Sequence, residues 1–161
     1  MSQEAPRIVI IGGGPAGYEA ATAGAKYGAH ITLVEDQGPG GSSVILDCVP
    51  SKSFIAGANI QTDFRRADDM GLNNQLSSLK LNLQALNGRV QALAGNQSQD
   101  VRDGLEKIGV QVIDGRAAFS EDQNGVTGAA HRVDVTHNDG TTETLDADPV
   151  SYTHLTLPTK A

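Results

Sequence analysis

Hydrophobic positions in this chain recur on two periods. Residues 7–11, Arg-Ile-Val-Ile-Ile, form a continuous β-branched run, the pattern of a strand buried on both faces of a parallel sheet. Gly12 to Gly14 break the run, and Pro15 suits the first turn of a helix. The alanine-rich residues 16–27 predict that helix, with Gly28 as its stop, and 30–35 predict a second buried strand. Together these make a βαβ unit of about thirty residues. Residues 42–57 read as a helix that Pro50 should kink, and 59–70 as another that ends near Gly71. Leu83, Leu86, Val90, Leu93, Val101, Leu105 and Ile108 then recur at three- and four-residue steps, the apolar stripe of a surface helix that Gly95 would interrupt. Residues 110–113 predict a short parallel strand with Gly115 behind it. Val133 and Val135 mark an alternating strand over 131–137. Asn138-Asp139-Gly140 is a turn signal, and residues 141–145 return as its partner. The fold class is therefore α/β, a Rossmann-like parallel sheet with a β-hairpin or meander at one side.

Two glycine-rich segments carry the candidate chemistry. Gly12-x-Gly14-x-x-Gly17 follows a strand and opens a helix. There the first glycine permits the tight turn, the second lets a pyrophosphate approach the backbone, and the third allows close helix–strand packing. The helix start offers unpaired N–H groups and partial positive charge to phosphates. Glu35 ends the next strand, where a carboxylate accepts hydrogen bonds from a ribose diol, and Glu35 with Asp36 would repel a 2′-phosphate. Gly40-Gly41 precedes a second helix start, and Cys48 and Lys52 lie one turn apart beyond it.

Composition narrows the reading. The 161 residues suffice for one domain with a core, and 19 glycines suit many tight turns or close backbone approaches. A formal charge of −7 argues against broad binding to nucleic acid or to anionic membrane. No apolar run reaches the roughly 18 residues that cross a bilayer. The polar start resembles no signal peptide, so a soluble, cytoplasmic protein is expected. Cys48 is the single cysteine, which excludes an internal disulfide and suits a reducing compartment. His30, His131, His137 and His154 have no metal-ligand spacing with one another or with Cys48, so no metal site is expected. Asp68-Asp69 and Arg65-Arg66 read as solvated helix faces.

The chain resembles the pyridine nucleotide–disulfide oxidoreductases, the group that contains dihydrolipoamide dehydrogenase and glutathione reductase. The residues that carry the likeness are Ile10-Ile11-Gly12-Gly13-Gly14-Pro15-Ala16-Gly17-Tyr18, then Gly40-Gly41, then Cys48-Val49-Pro50-Ser51-Lys52. The resemblance continues through Gly115-Arg116-Ala117 and the hairpin, so it covers about residues 7–148. It implies that this first unit binds FAD. By that likeness Gly12, Gly14, Pro15, Ala16 and Gly17 would surround the FAD pyrophosphate, with Gly40, Gly41 and Ser42 near the phosphates. Glu35, beside Asp36, would hold the adenosine ribose, and the backbone around Arg116 and Ala117 would touch the adenine. Lys52 would lie by the reactive edge of the flavin, and Cys48 matches the flavin-proximal cysteine of the family.

At the partner position of that cysteine the chain has Ser43. A hydroxyl has neither the low pKa nor the redox couple that thiol–disulfide exchange requires. NADH or NADPH can still reduce a flavin, because the cofactor carries that step, and electrons must then leave it directly for a quinone-like acceptor. The pattern looks like the NAD(P)H:quinone reductase subgroup that lacks the redox disulfide, and leaves Cys48 as either a packing residue or a tuner of the flavin. The alternatives are a dihydrolipoamide dehydrogenase-type disulfide reductase and a non-catalytic FAD-binding module. Family members run to several hundred residues, with a nicotinamide-binding unit and an interface domain that dimerises. The expectation is thus an N-terminal fragment, inactive by itself, with an incomplete sheet. From about Pro149 the residues cease to resemble the family and read like translated adapter sequence, so the domain is expected over 1–148 and a spurious tail over 149–161.

Overall fold

The computed structural model describes residues 5–71, 80–121 and 131–152. The expectations for His154 and for the rest of the segment 153–161 lie outside them. The described elements run β1 (Arg7–Ile11), α1 (Pro15–Lys26), β2 (His30–Glu35), α2 (Gly41–Ile45), α3 (Cys48–Arg66), a 3₁₀ turn (Asp68–Met70), α4 (Leu83–Lys107), β3 (Gln111–Phe119), β4 (His131–His137), β5 (Thr142–Ala147) and β6 (Val150–Tyr152). The strands form one sheet in the order β5-β4-β3-β2-β1-β6.

The continuous apolar strands are buried on both faces, as their composition requires. On one face Ile10, Ile31 and Leu33 pack with Ala21 of α1 and Leu105 of α4. On the other, Val9, Val34 and Ile113 pack against Val133, Val135 and Ala147, so the antiparallel strands fold back over the sheet as its second layer. Arg102 of α4 pairs with Asp114 of β3, holding that helix to the sheet.

Strand β3 is longer than residues 110–113 predicted because it serves two partners. Thr32 to Glu35 of β2 pair in parallel with Gln111 to Asp114, and Gly115 to Phe119 pair antiparallel with β4. Gly115 stands at the changeover. A Cβ there would lie 2.6 Å from the Thr136 carbonyl oxygen and 3.2 Å from His137 Cα, so only glycine admits β4 at this point.

Three helix expectations are corrected. Residues 42–57 do not make one kinked helix: the chain breaks at Leu46-Asp47 between α2 and α3. Pro50 then falls in the first turn of α3, where its missing N–H would have had no intrahelical partner, and it bends nothing. The helix foreseen over 59–70 is the continuation of α3, followed by the 3₁₀ turn and by Gly71 at φ +77°. Gly95 does not interrupt α4, whose buried stripe is Val90, Ala94, Ser98 and Leu105; Leu83, Leu93 and Ile108 are exposed instead. Helix α3 buries no residue, and its Phe54, Ile55, Ile60 and Phe64 are exposed.

The chain also makes a strand where the sequence analysis expected departure from the fold. Val150–Tyr152 pairs in parallel with β1, Val9 opposite Val150. Asp148 leads into it: the Arg7 N–H donates to Asp148 Oδ2 at 2.9 Å, and the Asp148 N–H donates to the Arg7 carbonyl at 2.9 Å.

Candidate functional site

At the carboxyl ends of β1 and β2, two hollows adjoin. The larger, about 540 Å³, is lined by Gly12, Gly14, Pro15, Ala16, Glu35, Asp36, Gln37, Gly41, Ser42 and Ser43. The smaller, about 170 Å³, is lined by Ile11, Gly12, Val34, Glu35, Asp36, Gly115, Arg116 and Ala117. Gly12, Glu35 and Asp36 belong to both, so the two are continuous along one groove.

The backbone builds this groove. Gly12 at φ +98° turns the chain out of β1, and its N–H donates to the Val34 carbonyl at 2.8 Å. Gly14 caps α1 and Gly40 caps α2, neither with a side-chain hydrogen bond. The first turn of α1 therefore lines the groove without a protein cap, an arrangement suited to anionic oxygens. The two glycine turns touch: a Cβ on Gly41 would lie 2.9 Å from Gly14 Cα and 3.2 Å from Gly14 N. The Gly40 N–H donates to the Gly13 carbonyl at 2.7 Å, which closes them together.

Glu35 is held by the backbone on both sides. Its Oε2 accepts the Gly13 N–H at 2.6 Å and its Oε1 the Gln37 N–H at 2.9 Å. Each carboxylate oxygen keeps acceptor capacity for one further donor. Gly13 leaves room for this, since a Cβ there would lie 3.1 Å from Glu35 Cβ.

Gly14 tests whether a dinucleotide fits. Its φ of −64° and ψ of 179° suit any residue, and a Cβ there would meet no protein atom within 4 Å. Neither backbone strain nor packing demands glycine at this place in the groove wall. The space beside Gly14 is open for a phosphate to approach the backbone, so the residues present fit a dinucleotide such as FAD.

The groove lining gathers Gly12, Gly14, Pro15, Ala16, Glu35, Asp36, Gly41, Ser42, Ser43, Arg116 and Ala117 from the foreseen set. Gly17 and Gly40 are buried and are not part of that lining. Cys48 and Lys52, at the start of α3, are exposed and also lie outside the lining. Sequence reasoning missed Gly13 and Gln37 as holders of Glu35. Three consecutive glycines where the motif asks for two was the available signal for Gly13; a backbone donor such as Gln37 leaves none. Among the described residues no cluster of three or more His, Cys, Asp or Glu side chains is placed to hold a metal ion, and no helix is long and apolar enough to cross a membrane.

A parallel sheet with a glycine turn after its first strand, an open helix start and an acidic residue closing its second strand defines a Rossmann-like nucleotide-binding domain. The chain belongs to the pyridine nucleotide-disulphide oxidoreductase family, whose profile matches residues 6–150. It is 42% identical over 147 residues, 89% of its length, to an NAD(P)H dehydrogenase (quinone) of Mycobacterium tuberculosis, of which it spans 29%. It is 31% identical over 112 residues, 70% of its length, to a dihydrolipoyl dehydrogenase of Bacillus subtilis, of which it spans 24%. The crystal structure of LpdA from Mycobacterium tuberculosis superposes with a TM-score of 0.78 at 41% identity, covering 91% of this chain and 31% of that one. The chain thus spans less than a third of each of these relatives.

Proposed function

We propose that this chain is the FAD-binding part of an NAD(P)H oxidoreductase that passes electrons from flavin directly to a quinone-like acceptor. The observation that carries the reading is the continuous groove, with backbone N–H groups and Gly14 at one end, Glu35 in the middle and the Gly115-Arg116-Ala117 edge at the other. FAD would lie with its pyrophosphate against Gly12, Gly14, Pro15, Ala16, Gly41 and Ser42, its ribose hydroxyls on Glu35 beside Asp36, and its adenine along Arg116 and Ala117, while the buried Gly17 would serve by letting α1 pack close to the sheet. Bound there, FAD supplies the two-electron chemistry that no side chain of this protein has. Lys52 and Cys48, exposed at the start of α3 and outside the groove lining, would meet the flavin ring only by the family likeness.

Support for a quinone-like acceptor comes from Ser43. It lines the groove where a second thiol would stand, and within these 161 residues Cys48 has no other cysteine to pair with. Direct transfer needs only an acceptor that can meet the flavin ring. That reading agrees with a 42% identical relative named for a quinone, although relatives named for dihydrolipoamide share the domain. In this reading the chain supplies the FAD-binding part, and nicotinamide oxidation and dimerisation would belong to the whole protein.

FAD titration into the purified chain, followed by quenching of flavin fluorescence, tests the first part; a folded chain that is colourless once unbound FAD has been removed by gel filtration, and that quenches no flavin fluorescence, ends the proposal. For the second part, the FAD-loaded chain is reduced anaerobically and mixed with menadione or with lipoamide. The expected result is reoxidation by menadione alone, and brisk reoxidation by lipoamide would refute direct transfer.

A further inference from the structure

Helix α4 carries one polar residue in its buried stripe. Ser98 is 8% exposed and is the one buried polar or charged side chain among the described residues. Its hydroxyl donates to the Pro39 carbonyl at 2.7 Å across 59 residues of sequence. It also lies against Gly38, where a Cβ would sit 2.8 Å from Ser98 Oγ. Replacing a core apolar residue by serine costs stability unless the hydroxyl is paired, and here it is paired with one particular peptide.

That peptide unit, Pro39 C=O with Gly40 N–H, is held at both ends. Ser98 grips its carbonyl, and its N–H donates to the Gly13 carbonyl at 2.7 Å. The next peptide along this path is also engaged, since the Gly13 N–H donates to Glu35 Oε2 at 2.6 Å. The Gly41 N–H donates to the Gly38 carbonyl at 3.1 Å, which closes the turn around Pro39. Peptide units are rigid planes, so the hydroxyl on α4 and the Gly13 carbonyl hold between them the plane that precedes Gly41.

We infer that Ser98 is a positioning residue for the groove: through the Pro39–Gly40 peptide it sets the gap between the two glycine turns, and hence the affinity for FAD. The inference rests on the FAD reading of the groove. Ser98 touches no ligand in this scheme, and it is absent from the groove lining.

The test compares Ser98→Ala with Leu105→Ala, another buried position of α4. Leu105 packs against the sheet rather than the loop. Two quantities are read in the full chain: the FAD dissociation constant, and amide hydrogen exchange of Gly40 relative to the amides of β2. Loss of one buried hydrogen bond predicts for Ser98→Ala a rise in the FAD dissociation constant on the order of tenfold. Gly40 exchange should quicken by a similar factor relative to β2. Leu105→Ala should lower the melting temperature while leaving both readouts near wild type. Ser98→Cys, which fills the same space with a weaker donor, should fall between and covers a failure of the alanine variant to fold. Equal effects in Ser98→Ala and Leu105→Ala, or unchanged Gly40 exchange in Ser98→Ala, overturn the inference. A wild-type chain that binds no FAD defeats the function proposed above, and the exchange ratio at Gly40 then decides the role of Ser98 without the ligand.

Discussion

Replacing Gly14 by alanine separates a glycine kept for the fold from one kept for a ligand. The backbone at Gly14 is φ −64°, ψ 179°, open to alanine without strain, and the new methyl would meet no protein atom within 4 Å. Two small terms act on stability. Alanine restricts the unfolded chain, which stabilises by about 0.4–1 kcal/mol. It is also a poorer N-cap than glycine, which costs roughly the same. The net change should be within about 1 kcal/mol, or about 2–4 °C in melting temperature for a domain of this size. Binding is different. The methyl projects into space that FAD phosphate oxygens would fill, and such overpacking costs about 1–3 kcal/mol. At about 1.4 kcal/mol per decade that is roughly 5- to 150-fold in the FAD dissociation constant. Thermal melting without ligand and fluorescence titration with FAD measure the two quantities on one preparation. Wild-type affinity in Gly14→Ala would show that the open space is not the phosphate site. A fall of 10 °C or so in melting temperature, well beyond the estimate, would show that the glycine serves packing after all.

Gly41→Ala should behave in the opposite way: φ is +56° and a Cβ would sit 2.9 Å from Gly14 Cα, so about 2–4 kcal/mol of stability should be lost, seen as a lower urea midpoint. Glu35→Gln cannot accept from both the Gly13 and the Gln37 N–H groups as the carboxylate does, and should weaken FAD binding about tenfold, measured by calorimetric titration. Ser43→Cys supplies a second thiol five residues before Cys48, and the FAD-loaded, reduced variant should gain reoxidation by lipoamide; no gain would place the two positions too far apart to exchange. In acid, Asp148 is held below its ordinary value of 3.8, first by the Arg7 backbone N–H and then by the Arg7 side chain. Asp139 is lowered likewise by Thr141. A depressed folded-state pKa contributes stability that is present above the ordinary value and is lost as pH falls through the folded value. Melting temperature should therefore drop from about pH 4 downward, and Asp148→Asn should flatten part of that drop in circular-dichroism melts; an unchanged acid limb would exclude the Arg7 contact as a contributor.

Local rules in the sequence determined the βαβ unit, the glycine turn, the place of Glu35 and the absence of a thiol pair. Each depends on the periodicity of a short segment or on what a residue type can do chemically. The 11-residue span from Ile31 through Gly41 shows where that legibility ends. Its strand was plain, yet the seating of its loop depends on Ser98, which in sequence is a polar blemish on an apolar stripe. The same holds for the double pairing of β3 at Gly115, for Pro50, which bends nothing because α3 begins two residues earlier, and for β6, which joins β1 through contacts of Asp148 with Arg7 across 141 residues. Only the tertiary structure decided these, because a backbone hydrogen bond or a Cβ clash is defined by a partner distant in sequence, and no periodicity within one element records who that partner will be.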